Sequence, residues 1–379
     1  MRLSGQLHAV RWPPVTDLLT AASAAAGVTL TEPAALASSD RSAVLRCRTA
    51  SGGTVVVKAY QSDGEGAEGG FAAEAAGLEF TTGTATGPDL IAADPGERLI
   101  VMSDLGDAPS LAVLLLGSSA ERASAGFLDW AVACGELAVR SAGRQAEFDA
   151  ILAGYLARLG ADPAGQHWLA RRIGQVPVLL GELSVEMPDG LEGDLADVAT
   201  LLSPGQYPVF SPGDICPDNN LVTPDGVRFI DFESAEFHSV FLDAAYLRMP
   251  FSSCWCVSRL PAGLALRAES AYRDLVTGVF PDLADDVSWQ RGARRAMAAW
   301  TLHATAHLLG PSLVADGSMN PEESRAPTAR QLLRFRWRIL REELESAGEL
   351  PAISALMTTL LISTESWQSP ALPFYPAFR

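Results

Sequence analysis

Between residues 208 and 233, a strand–turn–strand signature interrupts a long run of helix-forming sequence. Tyr207-Pro208-Val209-Phe210 reads as a strand, and Gly213 lets the chain turn. Asn220 to Thr223 and Val227 to Ile230 read as two short strands joined by Pro224-Asp225-Gly226. A three-residue connection closed by a left-handed glycine suits a type I turn. It predicts a register in which Thr223 faces Val227, Leu221 faces Phe229 and Asn219 faces Asp231, the last pair with α-carbons about 5 Å apart. An amide oxygen and a carboxylate meeting at the open end of a hairpin suit Mg²⁺, which takes one or two protein oxygens and fills its shell with water and phosphate. Asp214, on the irregular loop before them, is placed to accept the proton of an attacking hydroxyl. Asp and Asn also cap turns near hairpins, and each alone would be read that way. The ordered set points to a metal and a base.

Two textures surround this segment. Before residue 104 the chain alternates strand and helix: a short helix at 14–25, a hairpin of Ser42 to Arg48 and Thr54 to Tyr60, a helix from Phe71 to Phe80, and a strand from Arg98 to Met102. Beyond residue 107, helices are predicted at 109–117, 120–140, 145–159, 166–183, 190–202, 262–278, 290–309 and 327–347. The stretch from Trp367 to Arg379, rich in proline and aromatics, is expected to pack back as an extended segment. The expected organisation is α+β: a small β-rich N-terminal lobe, residues 1–104, and a large, mostly helical C-terminal lobe, residues 105–379.

Lys plus Arg total 28 against 45 Asp plus Glu, a net charge of −17. Such a field repels nucleic acid and anionic lipid and favours neutral or cationic ligands. No apolar run reaches the length of a membrane-spanning helix, and no secretory signal is read at the start. Five scattered cysteines read as reduced thiols, so a cytoplasmic location is expected. Cys254-Trp255-Cys256 has no second cysteine pair or histidine near it in sequence and reads as buried thiols rather than a metal site.

The run Gly213-Asp214-Ile215-Cys216-Pro217-Asp218-Asn219-Asn220-Leu221, followed by Ile230-Asp231-Phe232-Glu233, resembles the catalytic loop and metal-binding segment of the aminoglycoside phosphotransferase and choline kinase family. The resemblance implies a protein-kinase-like fold and transfer of the γ-phosphate of ATP or GTP, with Mg²⁺, to a hydroxyl of a small molecule. It assigns Asp214 as catalytic base and Asn219 and Asp231 as Mg²⁺ ligands. Asp243, in Phe241-Leu242-Asp243-Ala244-Ala245-Tyr246-Leu247, would brace the catalytic loop. Lys58, closing a run of valines, would hold the α- and β-phosphates with Glu74 as its partner, Glu79 being the rival. Ser42 ends the loop over the phosphates, and the backbone of Met102, Ser103 and Asp104 would meet the adenine ring.

Three departures stand out. Pro212 replaces the histidine that organises the family's loop, Glu233 follows Asp-Phe in the manner of the small-molecule branch, and Ser38-Ser39-Asp40-Arg41-Ser42 contains no glycine. They motivate an alternative, a nucleotide-binding scaffold impaired in catalysis. Gly64-Glu65-Gly66-Ala67-Glu68-Gly69 imitates a dinucleotide fingerprint, but its acidic residues would repel a pyrophosphate. His303 and His307 share the spacing of a zinc protease helix, but Ala304 replaces the glutamate base, so helix packing is expected. Asp282, Asp285, Asp286, Glu322 and Glu323 are acidic candidates for a cationic acceptor and are not assigned.

Overall fold

The structure is a computed structural model that describes residues 12–38, 41–61, 67–161, 168–202, 205–249, 251, 254–320 and 326–379. The chain divides into two units. One comprises Met1–Asp107, Glu147–Gly165 and Asp231–Ala235; the other comprises Ala108–Ala146, Gln166–Ile230 and Glu236–Arg379.

The first unit is built on a five-stranded antiparallel sheet in the order β1-β2-β3-β5-β4. Its strands are β1 (Leu30–Ser38), β2 (Ser42–Thr49), β3 (Thr54–Tyr60), β4 (Leu90–Asp94) and β5 (Leu99–Ser103), with helices α1 (Val15–Ala26) and α2 (Ala67–Thr81). The sheet follows from period-2 patterning. Val55, Val57 and Ala59 of β3 point to one face, where they pack with Leu45, Leu99, Val101 and the α1 residues Leu18 and Ala22. Lys58 and Tyr60 therefore share the opposite face. Helix α1 ends at Gly27, whose φ of 67° is the left-handed cap that glycine adopts freely. Strands β1 and β4, at the two edges, were not anticipated from sequence. Pro33 is tolerated in β1 because an edge strand has a free side, and the register shifts beside it.

The second unit is mostly helical. It contains α3 (Leu111–Leu116), α4 (Ala120–Ser141), α6 (Trp168–Gly174), α7 (Val176–Glu182), α8 (Leu191–Ala199), α9 (Val240–Ala244), α10 (Ala262–Val276), α11 (Asp286–Val314), α12 (Ala329–Ala347) and α13 (Pro351–Ser363). Helix α5 (Gln145–Leu159) runs almost wholly within the first unit. The single helix expected over 166–183 is two, broken around Gln175. Helix α4 starts on Ser119, whose hydroxyl accepts the Arg122 N–H, and α12 on a reciprocal Thr328–Gln331 capping box. Its last segment packs back as expected: Phe374 bridges Arg259, and Leu372 and Tyr375 are buried. No helix among the described residues is long and apolar enough to cross a membrane.

Two small antiparallel pairs carry the central segment: β6 (Pro208–Ser211) with β9 (Glu236–Ser239), and β7 (Asn220–Thr223) with β8 (Gly226–Phe229). The β7–β8 register differs from the expected one. Thr223 faces Gly226, Val222 faces Val227 and Asn220 faces Phe229. Gly226, at φ 106°, enters the ladder instead of completing the loop, so the turn is the two residues Pro224 and Asp225. The Ile230 N–H accordingly bonds the carbonyl of Asn219 at 2.9 Å. Asn219 is thus opposite Ile230, one residue before Asp231, and the expected cross-strand pairing of Asn219 with Asp231 is corrected.

Candidate active site

In the sheet unit, three residues singled out from sequence converge. The Lys58 ammonium lies 2.5 Å from Glu74 Oε2 and 2.5 Å from Asp231 Oδ1. Lys58 reaches them because β3 turns it to the α2 face, where Glu74 stands buried in mid-helix. Asp231 reaches them because its backbone is left-handed, φ 65°, a conformation aspartate tolerates better than most residues and one that swings the chain off the hairpin. Tyr60 donates its hydroxyl to the same Glu74 oxygen, and its ring lies beneath the ammonium. Burial works against the charge on Lys58, but Glu74 and then Asp231 outweigh it and hold its pKa above the ordinary lysine value. Glu233 lies 3.9 Å from the same ammonium and pairs with Arg41 at 2.9 Å. Glu79, the rival of Glu74, instead accepts the Tyr155 hydroxyl at 2.8 Å.

The other residues named in this unit have settled surroundings. Met102 lies inside β5, paired with Val56 on one side and Leu90 on the other. The Ser103 N–H is spent on the Asp89 carbonyl at 2.9 Å, and the chain leaves the sheet from Asp104 onward. The Asp104 carboxylate is clamped by Arg46 at 2.7 Å and by the Gly106 N–H at 2.9 Å, a structural task that leaves only its backbone for a ring. Burial would raise its pKa, but the Gly106 amide, Thr54 and Arg46 pull it below the usual carboxylate value. Ser42 opens β2, opposite Tyr60. Ser39 and Asp40 of the expected phosphate loop, and Gly64 and Gly66 of the glycine pattern, lie outside the described residues.

In the helical unit, the loop after β6 carries Asp214 exposed to solvent. Gly213 precedes it at φ 85°, a left-handed turn suited to glycine. Asp214 Oδ1 accepts the Cys216 N–H at 3.2 Å, and its carbonyl accepts Asn219 Nδ2 at 3.2 Å. With its amide nitrogen engaged, Asn219 keeps its oxygen as the free donor atom. Asp231, whose Oδ1 meets Lys58, keeps a second carboxylate oxygen. Both are hard oxygen donors that fit Mg²⁺ by chemistry.

Behind the loop, Asp243 accepts the Ser211 hydroxyl at 3.1 Å, and Ser211 in turn accepts the Gly213 N–H at 3.1 Å. His238 Nε2 lies 3.0 Å from the same Asp243 oxygen, and its Nδ1 lies 3.5 Å from Glu236. Burial opposes the charge on His238, but Asp243 and then Glu236 dominate and raise its pKa to about 10. Pro212 offers no side-chain donor, so the histidine beside this loop comes from β9, where Val209 faces His238. Asn220, fully buried, donates to the carbonyls of Ile215 at 3.0 Å and Cys216 at 2.5 Å and so closes the loop from within. Sequence reasoning missed Ser211, Asn220 and His238. The Asn-Asn doublet was a signal for the second, whereas His238 depends on a strand pairing with no local mark.

The decoys resolve structurally. His303 is buried and stacks on His307 beside Trp168 and Trp300, and burial, with His307, lowers its pKa to about 3. Asp285 caps α11 through the Ser288 N–H, and Asp286 pairs with Arg273. Asp282 lies in the short turn before α11, and Glu322 and Glu323 fall outside the described residues.

No protein-family model matches the chain, and no curated protein does. Among solved structures, it is similar to a macrolide 2'-phosphotransferase from Brachybacterium faecium (18% identity, 79% of this chain and 94% of that one, TM-score 0.49). It is also similar to a choline/ethanolamine kinase family protein from Mesorhizobium loti (16%, 90% and 99%, TM-score 0.47). A third match is an aminoglycoside phosphotransferase from Alicyclobacillus acidocaldarius (14%, 96% and 100%, TM-score 0.46).

Proposed function

We propose that this chain is a Mg²⁺-dependent phosphotransferase that moves the γ-phosphate of ATP or GTP to a hydroxyl of a small molecule, its net negative charge favouring a cationic acceptor. The observation that carries this reading is the buried convergence of Lys58, Glu74 and Asp231, 16 and 173 positions apart along the chain. A lysine held charged by two carboxylates, one of them on the segment that resembles a metal-binding motif, suits phosphate binding better than structural packing. An ion pair of this kind adds little net stability compared with apolar residues.

Each side chain has a role. Lys58 receives the phosphates, and Glu74 with Tyr60 keeps its ammonium in place. Asn219 and Asp231 hold Mg²⁺, which when bound neutralises phosphate charge. Asp214 takes the proton of the acceptor hydroxyl as that oxygen bonds to the γ-phosphorus. The bridging P–O bond breaks, and the diphosphate leaves with the electron pair. Asp243, with Ser211 and His238, steadies the loop that carries Asp214. Positioning and charge stabilisation supply most of the rate.

Release of ADP or GDP, measured across a panel of hydroxylated metabolites and antibiotics, tests this reading. Asp214→Asn is expected to lower kcat by roughly 10²–10⁴-fold with nucleotide affinity nearly unchanged. The absence of a histidine before Gly213 favours the second reading, binding without turnover. Nucleotide binding with no acceptor-dependent diphosphate release would select it.

A further inference from the structure

In sequence, Cys254-Trp255-Cys256 stands alone, but the helical unit folds a second short pair against it. One ligand atom from each of Cys216, Asp218 and Cys254 lies within 4.8 Å of the others. Cys256 adjoins them through its backbone, whose N–H bonds Cys254 Sγ at 3.4 Å. All three thiols are buried. The Asp218 carboxylate is fixed from outside, because Trp255 Nε1 donates to its Oδ2 at 2.6 Å. The other oxygen, Oδ1, accepts from Cys254 Sγ at 3.8 Å.

Two buried side chains near this cluster, Tyr375 and Arg336, keep donors without an acceptor among the described residues. Tyr375 is fully buried, and its hydroxyl, beside the backbone N–H of Ser258, donates to no acceptor among the described residues. Arg336 is also fully buried, with Nε and Nη2 unpartnered among the described residues. Its Nη1 reaches only the sulfur of Met249, at 3.9 Å, and Tyr246 and Cys216 are the acidic groups that act on it. The Arg336 guanidinium, which Cys216 acts on through charge, would offset part of the negative charge that ligating thiolates carry.

We propose that Cys216, Asp218, Cys254 and Cys256 form a binding site for a thiophilic divalent cation of the zinc class. Binding releases the three thiol protons to solvent and involves no electron transfer. Three sulfurs and one carboxylate oxygen suit Zn²⁺ and disfavour Mg²⁺, which sets the site apart from the oxygen donors Asn219 and Asp231. Trp255 acts as the outer partner that orients a ligating carboxylate. The cation ties the turn at Pro217–Asn219 to residues 254–256, so it fixes the loop that carries Asp214 without touching substrate.

The test is a titration of the full, reduced, chelator-stripped chain, carrying no polyhistidine tag, with Co²⁺. One Co²⁺ per chain is expected, with a thiolate charge-transfer band in the near ultraviolet and the visible bands of a tetrahedral site, all displaced by one equivalent of Zn²⁺. Trp255→Phe should weaken binding roughly 10–100-fold. Cys254→Ser should remove the charge-transfer band, and Cys47→Ser, a buried thiol of the sheet unit, should keep it. No stoichiometric Co²⁺ uptake by wild-type chain with all five thiols reduced overturns the proposal, as do bands that survive Cys216→Ser with Cys254→Ser. Should the serine variants fail to fold, the wild-type titration decides alone. Because the readout is absorbance, its failure leaves the phosphotransfer proposal untouched.

Discussion

Gly77 and Phe232 touch without room for a side chain between them: a β-carbon on Gly77 would lie 2.9 Å from the Phe232 ring and 2.9 Å from Ala235. Gly77 stands three residues beyond Glu74 on α2, and Phe232 directly follows Asp231. This close approach therefore helps fix Glu74 and Asp231 at their distances from Lys58.

Gly77→Ala is expected to destabilise the sheet unit by about 1–3 kcal/mol through overpacking and to weaken nucleotide binding with it. Denaturant unfolding and nucleotide titration check both effects. A variant as stable as the parent would show that the segment yields freely.

Lys58→Met should destabilise by about 3–5 kcal/mol, because it leaves Glu74 and Asp231 without their buried counter-charge. Adding Glu74→Leu should restore much of that stability without restoring phosphotransfer. Thermal unfolding and turnover, measured on the same preparations, separate the structural loss from the functional one. A double variant no more stable than Lys58→Met would argue against the charge imbalance.

Asp231→Ala is expected to abolish the dependence of nucleotide binding on Mg²⁺. An unchanged Mg²⁺ titration in that variant would remove Asp231 from the metal site.

The charged form of His238 should stabilise the fold in a defined pH range. Its pKa rises from 6.5 to about 10, burial opposing and Asp243 with Glu236 driving the change. A pKa higher in the folded than in the unfolded state gives a contribution fully present below 6.5 and lost as pH rises through about 10. His238→Gln should therefore be less stable than wild type at neutral pH, the gap closing towards pH 10. A gap that stays constant with pH would mean that the imidazole is not charged in the fold.

Legibility in the sequence followed how local each signal was. The β2–β3 hairpin and helices α4, α5 and α12 were readable because the apolar period of each lies within its own segment. Helix α13 was not, because its first N–H groups, on Ala352 and Ile353, are capped by the Asp194 carboxylate of α8, 158 and 159 positions away. Strands β1 and β4 were missed because the sheet pairs them on one side only, and such edges accept alanine and proline. The β7–β8 register slipped by one residue because Gly226 suits both a loop and a ladder position, and only pairing chooses between them.

The candidate residues Asp214, Asn219 and Asp231 could be named from their types and spacing along the chain, whereas Lys58, Glu74 and Asp243 came only from the family resemblance. The resemblance paired Lys58 with Glu74, as they stand, but the arrival of Asp231 at the same ammonium was not legible. The left-handed turn at Asp231, the arrival of His238 at Asp243 and the gathering of Cys216 with Cys254 each depend on long-range packing, where burial decides which partners a charge or a thiol finds.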